Sequence, residues 1–195
     1  YNPLDKKNII KKSNLKIKFK PFKEKNSLKI INIGRLVDQK DQLTILKSIN
    51  LIKKKIKIEL LIIGQGKNES LLKKYIKINN LENCVRILPF KNNPYPYIKE
   101  CDVFVLSSKY EGLPNVLLEA MTLKKFIISS NCPTGPKEIL NNGKNGMLFK
   151  PGSFNDLSKK LLLFNYKKFQ YKKKINFAYK SLKKYDYTDN LKLYL

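Results

Sequence analysis

The chain has 195 residues, 42% of them hydrophobic, which suits one compact domain or one domain plus an extension with a real core. No apolar run approaches the roughly 18 residues of a membrane span, and nothing near the start resembles a signal peptide. The formal net charge is +26, yet only Arg35 and Arg86 are arginines, so almost all of it is lysine. Lysine lacks the rigid fork that phosphate and base-edge readers use, and no nucleic-acid recognition motif accompanies it. The chain is also rich in Asn and Ile, so the charge reads first as a composition bias and second as attraction to an anionic membrane surface. With no His, and with Cys84, Cys101 and Cys132 far apart and outside any CxxC pair, a zinc site is excluded. The cysteines read as buried thiols of a reducing cytoplasm.

The chain begins with Tyr1 rather than Met and reads as part of a longer protein. Residues 1–27 are polar and Lys-rich, with Pro3 and Pro21, and read as a linker with room for a short helix or strand. A regular alternation then begins. "LKIINIG" (28–34) is an apolar run closed by Gly, and "QLTILKSINLIKK" (42–54) places Leu43, Leu46, Ile49 and Ile52 at helical spacing. "KIELLIIG" (57–64) is a second buried-strand run, followed by the helical "NESLLKKYIKIN" (68–79). "CVRIL" (84–88) predicts a strand, "PYPYIKE" (94–100) a short helix or turn, and "DVFVL" (102–106) a strand. "NVLLEAMTL" (115–123) predicts a helix, "KFIISS" (125–130) a strand, and "PKEIL" (136–140) a short helix. "GMLF" (146–149) and "FNDLSKKLLLF" (154–164) close the pattern as strand and helix. Residues 165–195 form a Lys- and Tyr-rich tail, helical to about Tyr185, without one clean apolar face. Continuous rather than alternating apolar strands mean that both sheet faces are covered. The fold class is therefore α/β: a Rossmann-like, doubly wound parallel sheet of about six strands spanning residues 28–164.

Such sheets bind ligands at the carboxyl ends of their strands. After the first strand, Gly34 permits a close turn, and Arg35 and Lys40 place two cations near a helix start, a combination that suits a phosphate. After the second, "GQG" at Gly64 is as consistent with a tight turn as with ligand contact; no dinucleotide or nucleoside-triphosphate loop is present. After the third, the loop holding Phe90 and Lys91 could meet a base edge. After the fourth comes "SSKYEGLPNVLLEAM" (107–121), with two acids in a lysine-rich chain. Gly112 supplies backbone freedom, Pro114 suits a first helical position, and the helix starts at Pro114 or Asn115. Glu111 then lies in the loop and Glu119 in the second turn. Two carboxylates flank one helix N-terminus, a layout that suits a nucleotide sugar: diphosphate on the helix end and hydroxyls on either Glu. The alternative is a capping acid and a surface helix acid.

"YEGLPNVLLEAM" resembles the E-x7-E signature of family 4 retaining glycosyltransferases, which have the GT-B fold. "INIGRLVDQKDQLTILKSI", "ELLIIGQGKNESLLKKYIKINNLENCVRILPF", "NCPTGPKEIL" and "NNGKNGMLFKPGSFNDLSKKL" are similar to the family's other segments in order, and "YNPLD" to its interdomain hinge. The wording is most similar to bacterial enzymes that build surface polysaccharides, lipopolysaccharide or lipid-linked oligosaccharides. The resemblance implies the C-terminal, donor-binding half of a GT-B fold, with a UDP-sugar or GDP-sugar donor, a glycan or lipid-linked acceptor, and no metal or other cofactor. It implies that Arg35 and Lys40 hold the diphosphate and Glu111 contacts the sugar. Gly112, Leu113, Pro114 and Asn115 lie along sugar and phosphate, Glu119 holds the ribose, and Phe90 and Lys91 meet the base. Gly34 lets the backbone turn close to the donor, and Gly64 is a lesser contact. One departure is Asp41, where the family often has Gly. The acceptor domain is absent from these 195 residues, so the isolated chain is expected to bind donor weakly and transfer nothing. The expected location is cytoplasmic, at the inner face of the plasma membrane. A nucleotide-binding module without transferase activity and a basic membrane-surface domain are the alternatives.

Overall fold

The structure is a computed structural model and describes residues 4–185; the first residues of the expected hinge and residues 186–195 of the expected tail lie outside the described residues. Six parallel strands form one sheet: β1 (Leu28–Ile33), β2 (Ile58–Ile63), β3 (Val85–Leu88), β4 (Val103–Leu106), β5 (Phe126–Ser130) and β6 (Met147–Phe149). Their order is β3-β2-β1-β4-β5-β6, the doubly wound arrangement that the alternating pattern predicts. Every residue of β2, β4 and β5 is buried, which is why these runs are predominantly apolar, with Glu59, Ser129 and Ser130 the buried polar exceptions.

Helices cover both faces. On one lie α2 (Gln42–Ile52), α3 (Glu69–Ile78) and α7 (Phe154–Lys167), packed through Leu46, Ile49, Leu72, Leu161 and Phe164. On the other lie α4 (Tyr95–Glu100), α5 (Asn115–Thr122) and α6 (Pro136–Ile139), packed through Ile98, Leu117, Leu118, Met121 and Ile139. The expected linker contributes to this second face. Asp5 caps α1 (Lys6–Ser13) by accepting from the Asn8 N–H at 2.9 Å, and Ile9 is buried where α1 packs on α4 and α5. Glu59 fastens the rest of the segment. Its carboxylate accepts from the N–H groups of Lys23 (2.8 Å) and Glu24 (2.9 Å) and from Ser27 Oγ (2.8 Å).

The tail also packs back onto the domain. Helix α7 runs past residue 164 to Lys167, a 3₁₀ turn spans Lys168–Tyr171, and α8 (Lys172–Ser181) leads into a second 3₁₀ turn, Leu182–Tyr185. Tyr171 lies 4.8 Å, centroid to centroid, from Phe126, which stacks on Phe164 at 4.6 Å. Aromatic pairs of this kind contribute about 0.5–1.5 kcal/mol each beyond their burial. Ala178, Leu182 and Tyr185 then join the second face's core, and the Leu4 N–H donates to the Tyr185 carbonyl at 3.0 Å.

The sheet positions the site. From β1 the chain moves outward one way to β2 and β3; from β4 it moves the other way to β5 and β6. The strand order therefore reverses between β1 and β4. Their ladder pairs Ile30 with Val103 and Ile31 with Phe104 and goes no further, whereas β1 and β2 pair along six residues. Beyond Ile31 the buried Asn32 side chain bridges the seam, donating from Nδ2 to the Val105 carbonyl at 2.8 Å. The seam thus loosens at the carboxyl ends of the strands, where a ligand crevice is expected.

Candidate active site

Two loops meet over this seam: residues 34–41 after β1 and residues 107–114 after β4. They are stitched together at three points. The Lys109 N–H donates to the Gln39 carbonyl (2.8 Å), Gln39 Nε2 to the Tyr110 carbonyl (3.0 Å), and Ser107 Oγ to the Lys40 carbonyl (2.7 Å). Asp41 ends the first loop with φ 46°, in the left-handed region where Gly is the easier fit. Its carboxylate accepts from Thr44 Oγ1 at 2.7 Å, so it is committed to the start of α2.

The stitching brings two expected residues into contact. Lys40 Nζ lies 2.6 Å from Glu111 Oε1, with side-chain exposures of 18% and 7%. Ser108 Oγ donates to the same Glu111 oxygen at 2.5 Å. Sequence reasoning gave Lys40 and Glu111 separate ligand contacts; in the structure they are each other's partners. Arg35, at the start of the same loop as Lys40, is exposed, and among the described residues its guanidinium forms no ion pair. A Cβ on Gly34 would meet only the Lys40 side chain, at an ordinary 3.7 Å.

Gly64 has a packing role. A Cβ there would lie 1.9 Å from the Gly34 carbonyl oxygen, so the residue lets the β2 loop nest under the β1 loop. The Leu36 N–H, donating to the Gln65 carbonyl at 2.9 Å, fixes the same contact.

Pro114 immediately precedes α5 rather than opening it. Its φ of −76° suits a helix but its ψ of 96° is extended, so Asn115 is the first helical residue. Pro114, in the capping position, has no side-chain acceptor to offer the first turn. The positive end of the helix dipole thus faces the crevice that Lys40 and Glu111 border. Pro114 is buried, Leu113 half-buried against the core, and Gly112 exposed, with open space where a Cβ would be.

Glu119 sits one to two turns into α5, and Tyr95 Oη donates to its Oε1 at 3.3 Å. Burial pushes the Glu119 carboxyl above the ordinary range, while the Tyr95 hydrogen bond pulls it down. Burial, reinforced by the Glu119 charge, pushes the Tyr95 phenol up to about 12, so it remains a donor. After β3, Phe90 is 61% exposed and Lys91 half-buried. Among the described residues no hydrogen bond or ion pair joins them to the Glu111 group.

Several supporting residues carry no sequence reading. Thr134 Oγ1 donates to the Glu111 carbonyl, and Ser130 Oγ donates to the Ser108 carbonyl at 2.6 Å. Among the described residues, Asn32 Oδ1 at the seam and Gln42 Oε1 at the start of α2 are buried without a hydrogen-bond partner. The available signals were the Ser-Ser pair closing the β4 run and the Thr-Gly-Pro ahead of α6. Among the described residues no group of three or more His, Cys, Asp or Glu could hold a metal ion.

A doubly wound parallel sheet whose switch point carries the Lys40–Glu111 pair and the start of α5 has the layout of a ligand-binding α/β domain. The chain belongs to the family of glycosyl transferases group 1, whose model matches residues 13–184. An uncharacterized glycosyltransferase of Methanocaldococcus jannaschii is 38% identical over 157 residues, covering 71% of this chain and 39% of that protein. The N-acetylgalactosamine-N,N'-diacetylbacillosaminyl-diphospho-undecaprenol 4-alpha-N-acetylgalactosaminyltransferase of Campylobacter jejuni is 30% identical over 161 residues, covering 80% of this chain and 41% of that protein. The chain thus spans about two fifths of the length of these relatives. Among solved structures, Anabaena HepE in complex with UDP superposes with a TM-score of 0.78 at 20% identity, covering 84% of this chain and 46% of that one. This likeness confirms the Rossmann-like sheet as one shared with GT-B glycosyltransferases.

Proposed function

We propose that the chain is the donor-binding half of a retaining glycosyltransferase of the family 4, E-x7-E type. It serves transfer of a sugar from a UDP-sugar or GDP-sugar to a glycan or lipid-linked acceptor. The observation that carries this reading is the convergence of Lys40, Glu111 and the start of α5 over the β1–β4 seam. The leaving group of such a reaction is a nucleoside diphosphate, and the barrier falls if its developing charge meets positive groups already in place. Arg35, Lys40 and the α5 end supply them. Glu111 positions the sugar hydroxyls, Glu119 takes the ribose hydroxyls, and Phe90 with Lys91 borders the base.

Similar proteins support the partners: a diphospho-undecaprenol acceptor in the name of the Campylobacter jejuni enzyme and UDP bound in Anabaena HepE. The lysine surplus supports a cytoplasmic location at an anionic membrane face. The acceptor groups belong to the rest of the protein, and the 195 residues alone transfer no sugar.

The test is thermal shift and calorimetry on the whole protein with UDP, GDP and their sugar conjugates. A nucleoside diphosphate raises the melting temperature, and Arg35→Ala and Glu119→Ala each abolish the rise. If no nucleoside diphosphate shifts the wild type, the reading fails; turnover by the 195-residue chain alone would overturn the division of labour.

A further inference from the structure

Glu111 is held in a way the roles above do not explain. Two donors converge on one of its oxygens, Oε1: Lys40 Nζ at 2.6 Å and Ser108 Oγ at 2.5 Å. Among the described residues no protein donor takes the other oxygen, Oε2.

The two donors differ mechanically. Ser108 is completely buried in the loop two residues past β4, and its carbonyl accepts from the equally buried Ser130 on β5. Its hydroxyl is therefore fixed to the sheet by one short side chain. Lys40 reaches Glu111 through four methylenes from a loop, and its side chain is 18% exposed. They also differ in chemistry. An ammonium released to a diphosphate exchanges one carboxylate for a more highly charged anion, whereas a neutral hydroxyl gains nothing by leaving a carboxylate.

We propose that Lys40 is the exchangeable and Ser108 the permanent partner of Glu111: a nucleoside diphosphate draws Lys40 off the carboxylate, and Ser108 then keeps Glu111 aimed at the sugar. The inference rests on the transferase reading and adds to it. Ser108 becomes a positioning residue, acting through Glu111 without touching the donor. Glu111 comes under the control of the diphosphate, because its charge is released from Lys40 only when the diphosphate has arrived. A sugar without its diphosphate meets a carboxylate that is already paired.

The readout is the difference between a nucleotide and its sugar conjugate. Calorimetry on the whole protein compares UDP with UDP-glucose and UDP-N-acetylglucosamine, and GDP with GDP-mannose, for wild type, Ser108→Ala, Ser108→Cys and Glu111→Gln. Turnover of whichever conjugate binds is followed in parallel. Ser108→Ala leaves affinity for the bare diphosphate within about twofold. It lowers kcat, and any affinity the sugar adds, by about ten- to hundredfold, the range for a hydrogen bond to a charged group. Ser108→Cys, a weaker donor in the same place, recovers part of that loss. Glu111→Gln removes the charge that competes for Lys40 and so binds the bare diphosphate more tightly than wild type.

Equal losses for nucleotide and conjugate in Ser108→Ala, or no loss in either, would overturn the role of Ser108. Unchanged or weaker diphosphate binding by Glu111→Gln would overturn the exchange. A melting temperature of ligand-free Ser108→Ala close to wild type separates positioning from unfolding; if that variant is unstable, Ser108→Cys carries the same comparison. Wild type that binds none of the nucleotides refutes the transferase reading, and this role with it.

Discussion

The carbonyl oxygen of Gly112 occupies the space where a side chain on Gly135 would begin: a Cβ there would lie 1.8 Å from it and 2.6 Å from Pro114 Cδ. Gly135 also has a φ of 25°, outside the usual range for residues with side chains. The loop carrying Glu111 thus rests on the bare backbone of the loop before α6.

Gly135→Ala must push the two loops apart. Overpacking of this kind costs about 1–3 kcal/mol, so the variant melts several degrees lower. It also displaces Gly112 to Asn115 from the crevice and weakens nucleotide binding by more than the stability loss explains. Gly112→Ala is the control, since nothing lies within 4 Å of a Cβ there. It changes stability by less than about 0.5 kcal/mol yet weakens nucleotide binding by intruding on the donor's space. Paired melting curves and titrations test both. Equal behaviour of the two glycines would show that the contact is not what shapes the loop.

Glu119 is predicted to lower stability for the sake of binding. Burial raises its folded-state pKa above the ordinary value of 4.5, so the folded protein holds the proton more tightly than the unfolded chain does. Stability therefore falls as pH rises from 4.5 through the raised pKa, and the full penalty is present above it. Glu119→Gln removes the charge but keeps a carbonyl that can accept from Tyr95. The expected result is a higher melting temperature than wild type at pH 7.5, a difference that vanishes below about pH 4.5, and weaker nucleotide binding. Melting curves across pH decide the sign; a variant less stable at pH 7.5 would contradict it.

Glu59 shows the opposite sign. Burial raises its pKa, but the hydrogen bonds from the Lys23 N–H, Ser27 Oγ and the Glu24 N–H together outweigh burial and hold it below 4.5. Its stabilisation is complete above 4.5 and is lost as pH falls through the depressed folded value. Glu59→Ala leaves these donors without their acceptor and costs about 1–3 kcal/mol at neutral pH. The deficit shrinks on acidification. Hydrogen exchange localises the change to residues 20–27, and slow exchange persisting there in the variant would show that Glu59 is not the fastener.

What the sequence made legible follows from the physics of each part. Buried strands announce themselves as continuous apolar runs, so β1 to β6 and the doubly wound class could be read directly. Helix α1 could not: of its residues only Ile9 and Ser13 are buried, and its lysines mask them. The tail's inward contacts were hidden because they are split between the two faces, Tyr171 and Ile175 packing on one core and Ala178, Leu182 and Tyr185 on the other, while Phe169 and Phe177 point to solvent. Arg35 stood out by rarity, Glu111 and Glu119 as acids around one helix start in a lysine-rich chain, and Lys40 only by its position after a strand. The Lys40–Glu111 pairing did not, because the residues are 71 apart in sequence and meet only once β1 lies beside β4. Gly64 gave the opposite difficulty: a glycine needed for backbone nesting and one needed for a ligand look alike in one dimension.

The lysine surplus has its own test. Along the 3₁₀ turn and α8, Phe169 is 81% and Phe177 63% exposed, and Lys173 and Lys180 flank Phe177 on one open face. Aromatic rings among lysines suit a bilayer surface, the rings entering the interface and each lysine adding about 1 kcal/mol on anionic lipid. Vesicles of zwitterionic lipid alone should leave the protein in the supernatant, and vesicles with anionic lipid should sediment it. Moderate salt should release it, because screening at 0.1 M acts over about 10 Å. Phe169→Ser combined with Phe177→Ser should weaken sedimentation without altering the melting temperature, since both rings lie in solvent. Nucleotide binding in the same salt should hardly change, because its cations act in a crevice at direct contact. Sedimentation that ignores lipid charge, or survives the loss of both rings undiminished, would leave the lysines as composition and nothing more.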